Sequence, residues 1–276
     1  MSDVIEISEL RDAVRPVLTE LRAGAWPIPE EQGRGLDAAL WEQCAELGWL
    51  QLTLPEERGG LGLGFAHLRV VYEEMGRALG SVPYLSTMLA IEALSGTPGS
   101  GAIEGYLDAM AAGDCRAAIA LPQTHACLSL NGDGAITGTV GDVLFADVAD
   151  LLLLPVRTGN GHALAVISAK APEVVIRKRG LMDLTRSSAD VAIDVLSAGG
   201  FETVELDDAA WEGLLDHAVA GLACDSVGAS AALFELTLDY LNTREQFGRL
   251  IGSFQALKHR AADWKCSLEI AGALVR

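Results

Sequence analysis

The spacing of apolar residues changes twice along the chain, and this limits the folds that it can adopt. From residue 5 to about 113, apolar residues recur every three to four positions, which is typical of amphipathic helices. Between about 117 and 206, short apolar runs alternate with turn sequences such as Asn131-Gly132-Asp133-Gly134, a strong hairpin signal. From 207 onward the helical period returns. The sequence therefore predicts an α+β multidomain protein with helices on both sides of a β region.

Three domains are expected from this pattern. They are an N-terminal helical domain over residues 1–115, a middle antiparallel β-barrel over 116–207 and a C-terminal helical bundle over 208–276. The bundle is expected to be incomplete, because only two helices are predicted there and no Gly or Pro ends the second one. The first of these two helices has an apolar seam, which packs either within the bundle or against a partner subunit: Val227, Ala231, Phe234, Leu238 and Leu241.

Charge and composition exclude several classes of function. With 20 basic and 38 acidic residues, the formal net charge is −18, so nucleic acids and anionic membranes are repelled. No signal peptide or run of roughly 20 apolar residues is recognised, which predicts a cytoplasmic protein without a membrane span. The cysteines have no metal-ligand spacing, so free thiols and no metal site are expected: Cys44, Cys115, Cys127, Cys224 and Cys266.

The most informative motif lies where the two C-terminal helices meet. It reads R-x-Q-F-G-x-x-I-x-x-F-Q from Arg244 to Gln255. A guanidinium at the end of a helix can pair with a phosphate through two hydrogen bonds, and an aromatic ring such as Phe247 can hold a flat heterocycle. The amides of Gln246 and Gln255 add further polar contacts. The alternative is a polar corner between helices with one solvated arginine.

This motif closely resembles that of the acyl-CoA dehydrogenases, flavoenzymes that desaturate acyl thioesters. The resemblance implies that Arg244, Gln246, Phe247 and Gln255 bind the pyrophosphate and adenosine end of FAD, which is bound mainly by the neighbouring subunit. Arg249, within the motif, is interpreted as a solvated surface charge. Two other segments resemble the same family: the P-E-E-x-G-G-x-G sequence at 55–62, and residues 180–186, which are similar to a loop of its β domain.

The catalytic base expected from the resemblance is not found in this chain. The family uses a glutamate, either in helices that would follow residue 276 or on the long helix before the motif. Counting back along that helix places the second position at Ala218, which cannot accept a proton. The catalytic residue is therefore unknown. His217 is interpreted as an exposed or capping residue, because neighbouring positions on a helix face different ways.

The segments that would contact the flavin ring also differ from the family pattern. Pro122-Gln123-Thr124 stands where the family has T-E-P, and Asp142-Val143-Leu144 stands where it has W-I-T. An aspartate thus replaces a stacking aromatic residue, and a leucine replaces a hydrogen-bonding threonine. A negative charge there would also oppose that of a reduced flavin. The β domain is expected to hold a flavin poorly.

These features together resemble the flavin-contact-poor subunit of a heteromeric bacterial acyl-CoA dehydrogenase, such as those acting on sterol-derived thioesters. Its expected partners are a second dehydrogenase subunit, an acyl-CoA substrate and an electron-transferring flavoprotein. One alternative is a homo-oligomeric dehydrogenase whose glutamate follows residue 276. Another is a non-catalytic relative that binds thioesters or serves as a scaffold. The acyl group is not specified by the sequence.

Overall fold

The predicted order of helices, sheet and helices is confirmed in the computed structural model. It describes residues 5–25, 36–96, 100–121, 127–157 and 161–275, without the side chains of 22–25. The N-terminal helices are α1 (Ile7–Ala25), α2 (Ala38–Glu46), α3 (Phe65–Ala78), α4 (Tyr84–Ser95) and α5 (Gly101–Ala111). Gly60, Gly62 and Gly64 lie in the loop before α3. A glycine-rich dinucleotide-binding loop follows a strand, and the described residues contain no strand before this loop, so it does not form such a unit.

A mixed sheet follows the N-terminal helices. The strands are β1 (Ala117–Ile119), β2 (Leu128–Leu130), β3 (Ile136–Leu144), β4 (Leu151–Arg157), β5 (His162–Ser168), β6 (Val174–Lys178), β7 (Ser188–Leu196) and β8 (Glu202–Leu206). The strand order is β6-β7-β3-β2-β4-β5-β8, and β1 pairs with β4 outside this path. The pairs β1–β4 and β2–β4 are parallel.

The predicted antiparallel β-barrel was wrong in two respects. In the described residues the sheet is open, with β6 and β8 at its ends, and two of its strand pairs are parallel. Turn sequences predict only the pairing of strands that are adjacent in the chain. The parallel pairs of β1 and β2 with β4 join strands that are further apart, so turn sequences do not predict them. The apolar side chains of the sheet nevertheless form one core, which includes Val140, Leu152 and Val191.

The turn at Asn131 shows why the hairpin was predictable. Its side-chain Oδ1 accepts hydrogen bonds from the backbone N–H groups of Asp133 (3.1 Å) and Ala135 (2.8 Å). Gly134 has a φ of 76°, a conformation that favours glycine. β2 and β3 consequently pair antiparallel on either side of the turn. By contrast, β1 has no local signal, and Ser86 and Thr87 of α4 bind its backbone at Ala117.

The chain divides into two compact units. One contains Ala25–Gly64 and Ser81–Ala218, and therefore the whole sheet. The other contains Met1–Gly24, Phe65–Gly80 and Val219–Arg276. The long helix α6 (Asp208–Thr243) contributes to both, and α7 (Gln255–Leu274) belongs to the second. These units group the helices differently from the three predicted domains, whose boundaries stay a prediction.

In the helical unit, α3 and α6 touch through glycines. A Cβ added to Gly228 would lie 1.8 Å from the carbonyl oxygen of Glu73, and one added to Gly76 would lie 1.9 Å from that of Asp225. The fully buried stripe of α6 in this unit is therefore made of small residues, including Cys224 and Gly228, whereas the predicted apolar seam is half-buried. Counting large apolar residues missed this stripe because close helix packing selects small ones.

Charged pairs join the helices of the same unit. The carboxylate of Glu74, whose side chain is 1% exposed, accepts hydrogen bonds from Arg15 Nε (2.9 Å) and Nη2 (2.7 Å). This hydrogen-bonded pair raises the pKa of Arg15 above its ordinary value. Arg11 Nη2 lies 2.7 Å from Glu73, and Arg77 Nη1 donates to Glu235 at 3.0 Å. These contacts stabilise α1 and α6 against α3.

Contrary to the expectation from the sequence, the described part of the chain contains one helix that is long and apolar enough, by length and composition only, to cross a membrane. This helix is α6, and 22% of its apolar window is buried. A single such helix is weak evidence for a membrane span, because a helix from the core of a soluble protein passes the same test.

Candidate functional site

The predicted cofactor-binding motif forms a small hairpin between α6 and α7. Two two-residue strands, β9 (Glu245–Gln246) and β10 (Arg249–Leu250), pair antiparallel, with Arg249 opposite Gln246. The residues between them, Phe247 and Gly248, have φ values of 55° and 74°. Positive φ at both central residues is the signature of a type I′ turn, which suits the twist of a hairpin.

Backbone contacts fix this hairpin to the end of α6. The N–H of Ile251 donates to the carbonyl of Arg244 at 2.8 Å. A Cβ on Gly252 would lie 2.7 Å from the carbonyl oxygen of Leu241, so only glycine allows this close approach. A 3₁₀ turn, Ile251–Ser253, then leads into α7. The hairpin is therefore held at the corner between the two helices.

All four predicted binding residues lie on the surface of this corner. Arg244, Gln246, Phe247 and Gln255 are exposed, and Phe247 has 91% of its surface accessible. Gln255 is the first residue of α7, whose N-terminus has no side-chain cap and no acidic residue in its first turn. A helix N-terminus of this kind favours an anion, and an exposed guanidinium and an exposed ring at the same corner suit a phosphate joined to a heterocycle. The corner thus fits the ADP half of FAD.

Arg249 and Phe254 contribute to the corner, although the sequence did not single them out as site residues. The guanidinium carbon of Arg249 lies 4.1 Å from the centroid of the Phe254 ring. The Phe254 and Phe247 rings meet edge to face, with centroids 6.3 Å apart and planes at 90°. Arg249 is exposed, as expected of a solvated surface charge, and it additionally packs on an aromatic ring. The short separation of Arg249 from Phe254 across a turn was a sequence signal for this contact, and it was not used.

At the expected position of the catalytic base, Ala218 is buried, with 8% of its surface exposed. Its neighbour His217 pairs through Nδ1 with the carboxylate of Glu92 on α4, and the His217 side chain is only 9% exposed. The interpretation of His217 as an exposed or capping residue was therefore wrong. Glu92 lies 125 positions away in the chain, so no local pattern could reveal the pair.

The positions that would contact a flavin ring lie on an irregular part of β3. The register between β3 and β7 shifts between Val140 and Val143, and Asp142 has a φ of 57°. Val143 is consequently in the core at 1% exposure, whereas Asp142 and Leu144 are exposed. The segment Pro122-Gln123-Thr124 lies outside the described residues.

Asp142 is not an unpaired anion. Arg179 Nη1 lies 2.7 Å from Asp142 Oδ1, and Arg179 Nε lies 2.7 Å from Asp190 Oδ1. Arg179 offsets only part of the negative charge at Asp142, because its single guanidinium is shared with Asp190. In addition, an ion-paired aspartate offers no aromatic face and Leu144 offers no hydroxyl, so these two positions do not fit a flavin ring. As for metal ions, the described residues hold no group of three His, Cys, Asp or Glu side chains able to bind one.

Two domain families match the ends of this chain. Residues 6–114 match the acyl-CoA dehydrogenase N-terminal domain, and residues 208–276 match the acyl-CoA dehydrogenase C-terminal domain. The chain therefore belongs to the acyl-CoA dehydrogenase family, and the resemblance inferred from the R-x-Q-F-G motif is confirmed.

Among its relatives is the acyl-CoA dehydrogenase IpdE2 of Mycobacterium tuberculosis, 34% identical over 245 residues. The match covers 88% of this chain and 65% of that protein, so the chain spans about two thirds of its length. IpdE2 of Mycolicibacterium smegmatis is 32% identical over 246 residues, covering 89% of this chain and 67% of the relative.

A solved structure of a variant of the Tcur3481–Tcur3483 steroid acyl-CoA dehydrogenase has a TM-score of 0.80 and 28% identity. It covers 95% of this chain and 74% of that one. The ChsE4–ChsE5 complex of Mycobacterium tuberculosis matches with a TM-score of 0.83 over 98% of this chain and 78% of that one. Its identity is 24%, so it shows the fold alone.

Proposed function

We propose that this chain is a subunit of a heteromeric acyl-CoA dehydrogenase and that it completes an FAD site carried mainly by a partner subunit. The proposed reaction is the FAD-dependent α,β-desaturation of an acyl-CoA thioester. FAD, when bound, supplies the acceptor for the hydride that leaves the β-carbon. The contribution of this chain is to hold the ADP half of that cofactor at the corner between α6 and α7.

The observation that carries this proposal is the exposed hairpin at that corner. Arg244 presents a guanidinium that suits a pyrophosphate, and Phe247 presents a ring at 91% exposure that suits a purine. The amides of Gln246 and Gln255 and the uncapped N-terminus of α7 add polar contacts. Side chains that are exposed in this way are available to a ligand held by another subunit.

The division between two subunits is supported by the residues at the ring and base positions. Asp142, paired with Arg179, and Leu144 do not suit a flavin ring, and the buried Ala218 cannot remove an α-proton. A partner subunit that supplies the ring contacts and the catalytic base would explain why this chain lacks both. Sterol-derived thioesters are the proposed substrate class, because a relative of known structure is named a steroid acyl-CoA dehydrogenase.

Other parts of the proposal follow from family membership. We expect electrons to leave through an electron-transferring flavoprotein and the complex to work in the cytoplasm. The relatives are longer than this chain, so a homo-oligomeric enzyme whose glutamate lies in a further segment is the competing proposal. The two proposals differ in whether the chain purified alone binds flavin.

Flavin content tests the proposal. The chain purified alone should be colourless, and it should become part of a yellow complex when it is co-expressed with a second dehydrogenase subunit encoded beside its gene. Stoichiometric flavin in the chain alone would contradict the proposal and favour the homo-oligomer. As a positive control, the partner-containing complex should release free FAD on denaturation, in an amount that can be quantified by its visible absorbance.

A further inference from the structure

The aromatic residue at the tip of the hairpin occupies an unusual position. Phe247 is not a glycine, yet its φ is 55°, and its ring is 91% exposed. Type I′ turns favour Asn, Asp and Gly at this place, since a larger side chain is strained there. Neither backbone preference nor burial accounts for a phenylalanine here. Its ring is therefore available for a contact outside the hairpin.

The side chains of Arg249, Phe254 and Phe247 contact one another in that order. The Arg249 guanidinium lies over the face of Phe254 at 4.1 Å, and Phe254 meets Phe247 at 90° with centroids 6.3 Å apart. A cation over a ring face and an edge-to-face pair are both favourable geometries. Arg249 thus contacts Phe254, which in turn contacts Phe247.

Arg249 also lies beside the remaining residues of the proposed site. It is opposite Gln246 in the hairpin register, and Phe254, on which it packs, directly precedes Gln255. One cation therefore lies close to three elements of the corner: the strand with Gln246, the tip with Phe247 and the start of α7.

We propose that Arg249 is a positioning residue, which acts through Phe254 to orient the Phe247 ring for stacking on the adenine of an ADP-containing ligand. This inference rests on the proposed function and adds to it a residue that determines how the adenine is held. Arg249 does not bind the phosphates, whose contact is assigned to Arg244.

The first test needs no ligand. With the Phe rings and Arg side chains isotopically labelled, NMR should show the Arg249 Cδ protons shifted upfield by the Phe254 ring. Phe254→Leu should abolish that shift, and Arg249→Ala should change the ring signals of Phe247. Arg177→Ala, at an exposed arginine of β6, is the matched control and should leave the Phe247 signals unchanged. Unchanged Phe247 signals in Arg249→Ala would overturn the inference.

The second test uses the complex formed with the partner subunit, freed of FAD, and titrates it with ADP and with adenosine. Arg249→Ala should weaken both ligands equally, by about two- to fivefold, the range expected for an exposed cation–aromatic contact. Arg249→Lys should recover part of the loss. In a Phe254→Leu background Arg249→Ala should have no further effect, because its action passes through that ring. Arg244→Ala should weaken ADP and spare adenosine.

The outcomes separate the inference from the function on which it rests. A larger loss for ADP than for adenosine in Arg249→Ala would mean a direct phosphate contact and overturn the positioning role, as would a full effect in the Phe254→Leu background. Binding by the wild type with no loss in Arg249→Ala would overturn the inference alone. If ADP did not bind to the wild-type complex, the adenine role and the proposed function would both fail.

Discussion

Replacing Gly228 by alanine tests how closely α3 and α6 pack in the helical unit that carries the hairpin. The new Cβ would lie 1.8 Å from the carbonyl oxygen of Glu73, and an ordinary contact begins at 3.4 Å. The obstacle is a backbone atom that cannot rotate away, so the helices must separate by about 1.6 Å. Overpacking of this kind costs about 1–3 kcal/mol, and the gain in helix propensity of roughly 0.5–1 kcal/mol offsets only part of it.

We therefore expect Gly228→Ala to lower the melting temperature by several degrees, since 1 kcal/mol corresponds to about 2–4 °C in a chain of this size. Gly213→Ala is the matched control on the same helix, where an added Cβ meets nothing within 4 Å, and it should be neutral or stabilising. Adding Gly76→Ala to Gly228→Ala should cost less than the sum of the single changes, because both separate the same helices. Equal melting temperatures for Gly228→Ala and Gly213→Ala would refute the close crossing.

Two further predictions follow from the environments of titratable groups. In the folded chain, a thiol reagent at pH 8 should modify the exposed Cys266 fastest, and Cys44, Cys115 and Cys224 only after unfolding. Burial raises the pKa of Cys115 and of Cys224 to about 11, and mass spectrometry of the labelled peptides checks this. For Asp150, burial raises the pKa, but hydrogen bonds from Arg116 and Lys170 outweigh it and leave the pKa below its usual 3.8. Its contribution to stability is therefore complete above about pH 5 and is lost as the pH falls through the pKa of the folded chain. Asp150→Asn should flatten the acid side of the stability curve in urea titrations, and an unchanged curve would contradict this.

Local features of the fold were predictable because their causes lie in adjacent residues. The Asn131 turn was predicted because Asn and Gly favour the required backbone conformation. The barrel was not correct, since sheet closure depends on distant pairings such as β1 with β4. The buried stripe of α6 was missed because it consists of small residues such as Gly228.

The candidate site was predictable to a similar extent. The motif located Arg244, Gln246, Phe247 and Gln255 at one corner because they lie within twelve consecutive residues. The packing of Arg249 on Phe254 depends on how the hairpin turns at Gly248, and the pairing of His217 with Glu92 joins two distant helices. Such contacts between side chains are set by tertiary structure, so a single sequence does not reveal them.

The FAD affinity of the complex formed with a partner subunit tests the central claim most directly. Losing a charge-assisted contact to a pyrophosphate costs about 1.5–3 kcal/mol, so Arg244→Ala should weaken FAD binding by roughly ten- to a hundredfold. Arg244→Lys should recover only part of this loss, because an ammonium group cannot form the two-pronged contact. The measurement is the dissociation constant of FAD from the complex, with Arg177→Ala as the control. Wild-type affinity in Arg244→Ala would contradict the account.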